Sequence, residues 1–201
     1  MLLTLTSKPI NVFAHSDLFL DRFRIMNNGK TYGGIPYTKG YLEKMGARFV
    51  FNNEYVEIEE GVFLSGEIPR ETPYEGGDME DRFLIREGNA LPDIIPDDQS
   101  LVIHVEKGIL IVLGCAHAGI INVINHAIRM TGVESIYGIV GGTHIGFSGD
   151  GQLARTIEVL RQYRVEHFVP SHCTGPEAAF RLRLAFEKSF AVSHVGMTLD
   201  F

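Results

Sequence analysis

The sequence predicts an α/β fold, because strand-like and helix-like runs alternate through its C-terminal half. Three strand-like runs end in a histidine, each followed by a loop and a helical pattern: residues 109–117, 136–144 and 167–172. Repeated strand–loop–helix units predict parallel strands whose carboxyl ends share one edge of a sheet. Ligands bind outside that edge in open α/β sheets, so we expect the functional site there.

Length and composition limit the function classes. The chain has 201 residues, of which 45% are hydrophobic, enough for one core, and we expect a single domain over 1–201. The net charge of −7 without any basic run argues against a nucleic-acid partner. Two cysteines make no disulfide framework, which favours a reducing cytoplasm. No apolar run reaches membrane-spanning length, and the first residues lack the basic segment of a signal peptide, so no membrane partner is expected.

The N-terminal half shows fewer regular patterns. Residues 10–15 are predicted to form a buried strand, after which Ser16 is expected to cap a helix through Phe23. Residues 24–98 are expected to be irregular, apart from short strands at 48–51, 55–58 and 62–65. Within them, residues 66–98 are rich in Pro, Gly and Asp, so we expect a wall or lid over the substrate site.

The C-terminal half is regular. A hairpin is predicted between strands 101–105 and 109–113, and a helix beginning near Ile120 is expected to end at Gly132. A second helix is predicted around 153–160 with Asp150 as N-cap. A third is predicted around 176–188, where Thr174 to Glu177 match a capping box. A final strand is predicted over 190–195.

The three strand-end histidines are candidate metal ligands. His117, His144 and His172 lie at intervals of 27 and 28 residues, as three similar structural units would place them, and each has small or glycine neighbours. Imidazole suits zinc first, with iron or manganese as alternatives, and we expect partial occupancy. For each histidine alone, a structural hydrogen-bonding role is the alternative. His15 is a remote further candidate.

Residues next to these histidines allow other chemistry. Cys115 and Cys173 are expected to be small buried residues, with a thiolate ligand as the alternative. A cysteine nucleophile is a third reading, but no orienting acid is evident. Ser171, Thr174 and Gly175 precede a predicted helix and are candidates for binding an anion such as phosphate. The alternative is that Thr174 only caps that helix.

Two adjacent acids precede the predicted hairpin. Asp97 and Asp98 are candidates for a metal ligand or a general base. A solvated turn is the commoner explanation for such a pair.

Six motifs resemble the metallo-β-lactamase superfamily. They are Gly-Cys-Ala-His117-Ala-Gly-Ile, Gly-Gly-Thr-His144-Ile, Pro-Ser-His172-Cys-Thr-Gly, Val-Phe-Ala-His15-Ser-Asp, Gly-Val-Phe-Leu-Ser-Gly-Glu-Ile-Pro69 and Pro-Asp-Asp-Gln-Ser-Leu101. Within the superfamily they resemble the branch that includes the archaeal 7,8-dihydropterin-6-methyl-4-(β-D-ribofuranosyl)-aminobenzene-5′-phosphate synthases. The likeness covers nearly the whole chain.

The resemblance implies an αββα sandwich with one or two metals at one edge, where a metal-bound water attacks the substrate. By motif, His117 matches the single histidine ligand of the middle of the fold, and His172 matches the last one. The position of His144 usually supplies an aspartate that bridges two metals.

One part of the family pattern is missing. The superfamily's His-x-His-x-Asp-His signature does not occur in the sequence, which suggests a fold shortened at its N-terminus. Exposed sheet would then need a homo-oligomer or another partner as cover.

The resemblance implies a metal-dependent hydrolase or transferase acting on a small, phosphorylated or pterin-like molecule. We expect this chain itself to bind metal weakly and hydrolyse little. A non-catalytic binding or scaffold protein derived from such an enzyme is the alternative.

Overall fold

A computed structural model describes residues 8–27, 29–75 and 81–199. The strands are β1 (Ile10–Ala14), β2 (Asp21–Met26), β3 (Gly29–Tyr32), β4 (Ala47–Phe51), β5 (Val56–Glu59), β6 (Val62–Leu64), β7 (Arg82–Arg86), β8 (Asn89–Pro92), β9 (Leu101–Val105), β10 (Gly108–Leu113), β11 (Ile136–Gly142) and β12 (His167–Ser171). The α-helices are α1 (Lys39–Lys44), α2 (Ile120–Thr131), α3 (Asp150–Leu160) and α4 (Pro176–Ala185). Nowhere in these ranges is a helix long and apolar enough to cross a membrane.

The chain forms two compact units. The first contains residues 1–53 and 79–97, and the second contains residues 54–78 and 98–201. That residues 1–201 form a single domain stays a prediction.

The first unit is held by two small sheets and a buried charge cluster. Strands β3-β2-β7-β8 form an antiparallel sheet, and β1 pairs with β4 in parallel. Arg22 is 8% exposed and makes ion pairs of 2.7 Å with Asp93 and with Asp97. Burying a guanidinium is favourable only when carboxylates compensate its charge, so this cluster fixes β2 beside the end of β8.

The second unit is built on a six-stranded sheet in the order β12-β11-β10-β9-β6-β5. The pairs β10–β11 and β11–β12 are parallel, whereas the remaining pairs are antiparallel. Strands that are buried on both faces have continuous apolar sequences. Accordingly, β10 buries the consecutive residues Ile109, Leu110 and Ile111. The core also takes residues from α2, α3 and α4, including Ile124, Leu160 and Leu182.

Several predicted elements are confirmed. The hairpin of β9 and β10 is present, and α2 begins at Ile120 and ends at Gly132, whose φ of +70° is the left-handed conformation that ends helices. The short strands predicted near 48–51, 55–58 and 62–65 are β4, β5 and β6.

Other predictions are corrected. Ser16–Phe19 is only a 3₁₀ turn, with His15 rather than Ser16 at its N-cap, and β2 follows at once. The irregular segment expected at 24–98 contains β3, α1 and the β7–β8 hairpin. The strand expected at 190–195 is reduced to one bridge, between Phe168 and Phe190.

Two predicted helix caps are also wrong. Helix α3 has Gly149 as N-cap, so Asp150 is its first helical residue, and α4 has Gly175 rather than Thr174 as N-cap.

Candidate metal centre at the carboxyl edge of the parallel strands

Three parallel strands deliver the candidate histidines to one sheet edge. His117 follows β10 after a short loop, His144 comes two residues after β11, and His172 directly follows β12. Because these strands are parallel neighbours, their carboxyl ends lie side by side. The fold therefore provides the shared edge on which the sequence-based hypothesis depends.

His117 and His144 are direct neighbours at this edge. Their ring centroids lie 4.1 Å apart with the rings tilted by 47°, and Phe147 lies 4.9 Å from the His144 ring. Both histidines are half-buried. Two imidazoles this close can serve one ion or two adjacent ions.

His172 lies among the two cysteines. Its imidazole and the thiols of Cys115 and Cys173 place one donor atom each within 4.8 Å of the others. In the part of the chain that the structure describes, this is the group of three or more His, Cys, Asp or Glu donors that meets this limit, and His117 and His144 are not members of it. The structure thus arranges the predicted ligands as an imidazole pair and a Cys-His-Cys trio.

The pair and the trio are joined by a hydrogen bond. The backbone N–H of His144 donates to the Cys173 Sγ at 3.2 Å. Gly142 leaves room for this contact, because a Cβ at Gly142 would lie 2.7 Å from the Cys173 Sγ and 3.2 Å from the Cys115 Cα. Any residue with a side chain at position 142 would therefore clash with the Cys173 thiol and with the Cys115 backbone.

The two thiols differ in electrostatics. Burial, and then the neighbouring Cys173, raise the pKa of Cys115 to about 12. Burial also acts to raise the pKa of Cys173, but hydrogen bonds from the His144 side chain and backbone and from Cys115 outweigh it and lower that pKa. Cys173 is therefore the thiol that ionises first.

Strained backbone occurs at this edge. Ala116, His144 and His172 have φ values of 54°, 53° and 48°, in the left-handed region that side chains disfavour. Such residues persist only where the surrounding structure holds them, and they cluster at functional sites. All three lie just after β10, β11 or β12, at or beside the candidate ligands.

Asp98 holds the loop that carries His117. Its Oδ1 accepts the backbone N–H of Cys115 at 3.1 Å, and its Oδ2 accepts the N–H of His117 at 2.5 Å. Both carboxylate oxygens are thus used to shape the strained turn through Ala116. Asp97, its neighbour in sequence, instead pairs with Arg22 in the first unit. The two acids have separate structural tasks, and neither is a simple solvated turn residue.

A cavity of about 190 Å³ opens beside the imidazole pair. Its lining includes Glu75, His117, His144, Phe147 and Gln152. The Glu75 carboxylate accepts backbone N–H groups from Ile121 and Asn122, both at 3.0 Å, in the first turn of α2. Burial raises the Glu75 pKa to about 7 although these two bonds oppose the shift. No local sequence motif points to Glu75, because its hydrogen-bond partners lie about 46 residues away.

The anion candidates differ in availability. Thr174 is buried, and its hydroxyl bonds with the Thr143 hydroxyl at 3.0 Å and donates to the Ser171 carbonyl at 2.7 Å. Ser171 and Gly175 line a second cavity of about 390 Å³ together with His172 and Arg183. The Thr174 hydroxyl therefore serves internal packing, and Ser171 is the better placed candidate.

The remaining predictions for single residues are resolved by burial and position. Cys115 and Cys173 are half-buried, so the expectation that both are fully buried is wrong. His15 is buried in the first unit, where its Nδ1 accepts the Asp17 N–H at 3.0 Å. His126 lies within α2 and bonds the Ser65 carbonyl at 3.0 Å, as a structural histidine does.

Comparison with known proteins finds two relatives and one similar solved structure. No family model matches the sequence. A relative from Methanocaldococcus jannaschii, 7,8-dihydropterin-6-methyl-4-(β-D-ribofuranosyl)-aminobenzene-5′-phosphate synthase, is 29% identical over 198 residues, which cover 97% of this chain and 67% of the relative. An uncharacterized protein of the same organism is 34% identical over 186 residues, covering 92% and 66%.

A solved structure has the same fold. It is described as a metal-dependent hydrolase of the β-lactamase superfamily, and it matches with a TM-score of 0.84 at 24% identity over 99% of this chain and 73% of the other. This match confirms the predicted fold class. The chain spans about two thirds of the length of the curated relatives it matches.

Proposed function

We propose that this chain, a member of the β-lactamase-superfamily branch that includes the methanogen synthase, is a metal-dependent hydrolase or transferase acting on a small phosphorylated or pterin-like molecule. The observation that carries the proposal is that His117, His144 and His172 each follow one of three neighbouring parallel strands, so that their backbones lie along one sheet edge. Zinc is the first choice of metal, since imidazole and thiol donors both suit it.

The donor set fits a metal on the chemistry of its residues. Imidazoles and thiols crowd one edge, and Gly142 leaves open the space that a side chain would fill. A bound metal would supply a Lewis acid and an activated water at this edge. The candidate ligands for it are His117 and His144, which form one pair, and His172, which lies next to the two thiols.

The surrounding residues support binding of a ringed, anionic substrate. Phe147 is 68% exposed at the rim of the 190 Å³ cavity, where an aromatic face can stack on a planar ring. In the second cavity, the Ser171 hydroxyl and the Arg183 guanidinium are suited to a phosphate. Glu75, held at the cavity wall with a pKa near neutrality, can give or take a proton there.

Turnover with and without metal tests this proposal. The purified chain is stripped with a chelator, reloaded with zinc, manganese or iron, and assayed on a set of phosphodiesters, phosphomonoesters and lactones. We expect activity that the chelator removes and one metal restores, and that His117→Ala reduces by at least about tenfold. His194→Ala, at an exposed residue outside both cavities, is the matched control.

Two results would contradict the proposal. Activity that is insensitive to metal removal would exclude metal dependence. Ligand binding without turnover under any metal would favour a non-catalytic binding protein.

A further inference from the structure

We propose that Cys115, His172 and Cys173 together form a thiolate-containing ligand set for a thiophilic divalent ion, zinc in the first instance. The inference deepens the proposed function, because it concerns the same sheet edge and changes which side chains hold the metal there. It adds two sulfur donors that the histidine pattern alone did not predict.

The distances suit a tetrahedral ion. Zinc binds sulfur at about 2.3 Å and imidazole nitrogen at about 2.0–2.1 Å, so donors of one tetrahedral site lie on the order of 3.5–4 Å apart. The donor atoms of Cys115, His172 and Cys173 all lie within 4.8 Å of one another. Side-chain shifts of up to about 1 Å would bring the three donor atoms to the spacing that one zinc ion requires.

The backbone arrangement is built to bring these donors together. Cys115 comes two residues after β10, and His172 and Cys173 follow the end of β12, two strands away in the sheet. Between them, the end of β11 carries Gly142, where a Cβ would contact Cys173 Sγ and the Cys115 backbone. A side chain at position 142 would therefore clash with the Cys173 thiol and with the Cys115 backbone.

One hydrogen bond supports a thiolate at Cys173, and another fixes the backbone of Cys115. The His144 N–H donates to the Cys173 Sγ at 3.2 Å, and bonds of this type orient a ligand and stabilise its charge. The Cys115 backbone is fixed by its 3.1 Å bond to Asp98. Three protein donors are also the number that catalytic zinc sites normally provide.

Cobalt serves as the spectroscopic probe for this site. The reduced 201-residue chain is titrated with Co²⁺, and we expect a strong near-ultraviolet band from sulfur-to-cobalt charge transfer that one equivalent of Zn²⁺ removes. Cys115→Ser, Cys173→Ser and His172→Ala are each expected to weaken Co²⁺ binding at least about tenfold. The two serine variants should also weaken the band, whereas His194→Ala should leave the band and the affinity unchanged.

A second measurement does not depend on variants that fold. X-ray absorption at the zinc edge of the wild-type chain should show two sulfur neighbours at about 2.3 Å. A shell of nitrogen and oxygen only, or a cobalt spectrum without the sulfur band, would overturn the inference. A disulfide between Cys115 and Cys173 that persists under reductant and excess metal would overturn it as well.

The outcomes separate this inference from the proposed function. Metal-dependent turnover that survives in Cys115→Ser and Cys173→Ser, with no sulfur in the metal shell, would reject the thiolate set and leave the hydrolase proposal standing. A sulfur-bound metal without turnover on any substrate would support the thiolate set and reject the hydrolase proposal.

Discussion

At the scale of single residues, the neighbours Asp97 and Asp98 have different partners and different structural roles. Asp98 uses both carboxylate oxygens to hold the Cys115 and His117 N–H groups, whereas Asp97 pairs with Arg22. An asparagine at 98 has one acceptor oxygen and turns an amide N–H₂ toward a donor. We expect Asp98→Asn to lower zinc affinity about 10–100-fold, as the loss of groups that orient ligands typically does.

Isothermal titration with zinc would measure this effect, with Asp97→Asn as the neighbouring control. The control is expected to leave zinc affinity unchanged, because Asp97 bonds no part of the His117 loop. Equal losses in the two variants would show that general destabilisation, and not loop geometry, decides zinc affinity.

Glu75 makes stability depend on pH. Burial raises its pKa from 4.5 to about 7 in the folded chain, so folding favours the protonated form. Its contribution is fully present below about pH 4.5 and is lost as the pH rises through about 7. Urea unfolding of wild type and Glu75→Gln across this range should show the wild type losing stability relative to the variant as pH rises. A constant difference would mean that the Glu75 pKa is not raised.

Some residues of the candidate site could be proposed from the sequence, and others could not, for a physical reason. His117, His144 and His172 were predictable because strand ends and even spacing are local signals. The roles of Cys115, Cys173 and Asp98 depend on contacts across the sheet edge, such as the space at Gly142 and the 17-residue separation between Asp98 and Cys115. No local pattern reports contacts of that kind.

At the scale of elements, helix α2 is tied to the segment at 70–75. The Asn122 Oδ1 accepts the N–H groups of Glu71 and Thr72 at 3.0 and 2.8 Å, and its Nδ2 donates to the Ala118 carbonyl at 2.7 Å. Arg70 donates to the His117 carbonyl at 2.8 Å. The start of the predicted 66–98 wall is therefore anchored to the loop that carries His117, while its role as a lid stays a prediction.

Asn122→Ala should release this segment. Two backbone N–H groups lose their acceptor, and each one that stays buried lowers the free energy of unfolding by about 1–3 kcal/mol. We expect a lower free energy of unfolding and faster proteolytic cleavage within 66–75. Asn125→Ala, which removes only a bond with the Tyr163 hydroxyl, is the matched control and should leave cleavage in this segment unchanged.

Elements were predictable where periodicity is strong and local. Helix α2 and the β9–β10 hairpin carry clear apolar patterns and a glycine stop, and both are confirmed. The β7–β8 hairpin was missed because Pro, Gly and Asp dominate the composition around it, while its support comes from β2, some 60 residues earlier. The prediction of a final strand was wrong for the opposite reason. The segment at 190–195 has an apolar pattern, but only one β-bridge, between Phe168 and Phe190, pairs it with another strand.

At the scale of the whole molecule, the fold class followed from the strand–histidine–helix repetition and from the motif resemblance, and the structural match confirms it. The division into two compact units was not predicted. It depends on which distant segments pair, as when residues 79–97 join residues 1–53, and composition carries no signal for such pairing.

Anomalous diffraction at the zinc absorption edge tests the central claim most directly, namely that the three parallel strand ends build a metal centre. Crystals of the full chain grown with zinc are predicted to show one strong anomalous peak in contact with His172, Cys115 and Cys173, beside the His117 and His144 rings. Loss of that peak in His172→Ala, but not in His194→Ala, would complete the result. A peak elsewhere, or none at this edge with zinc in excess, would contradict the account.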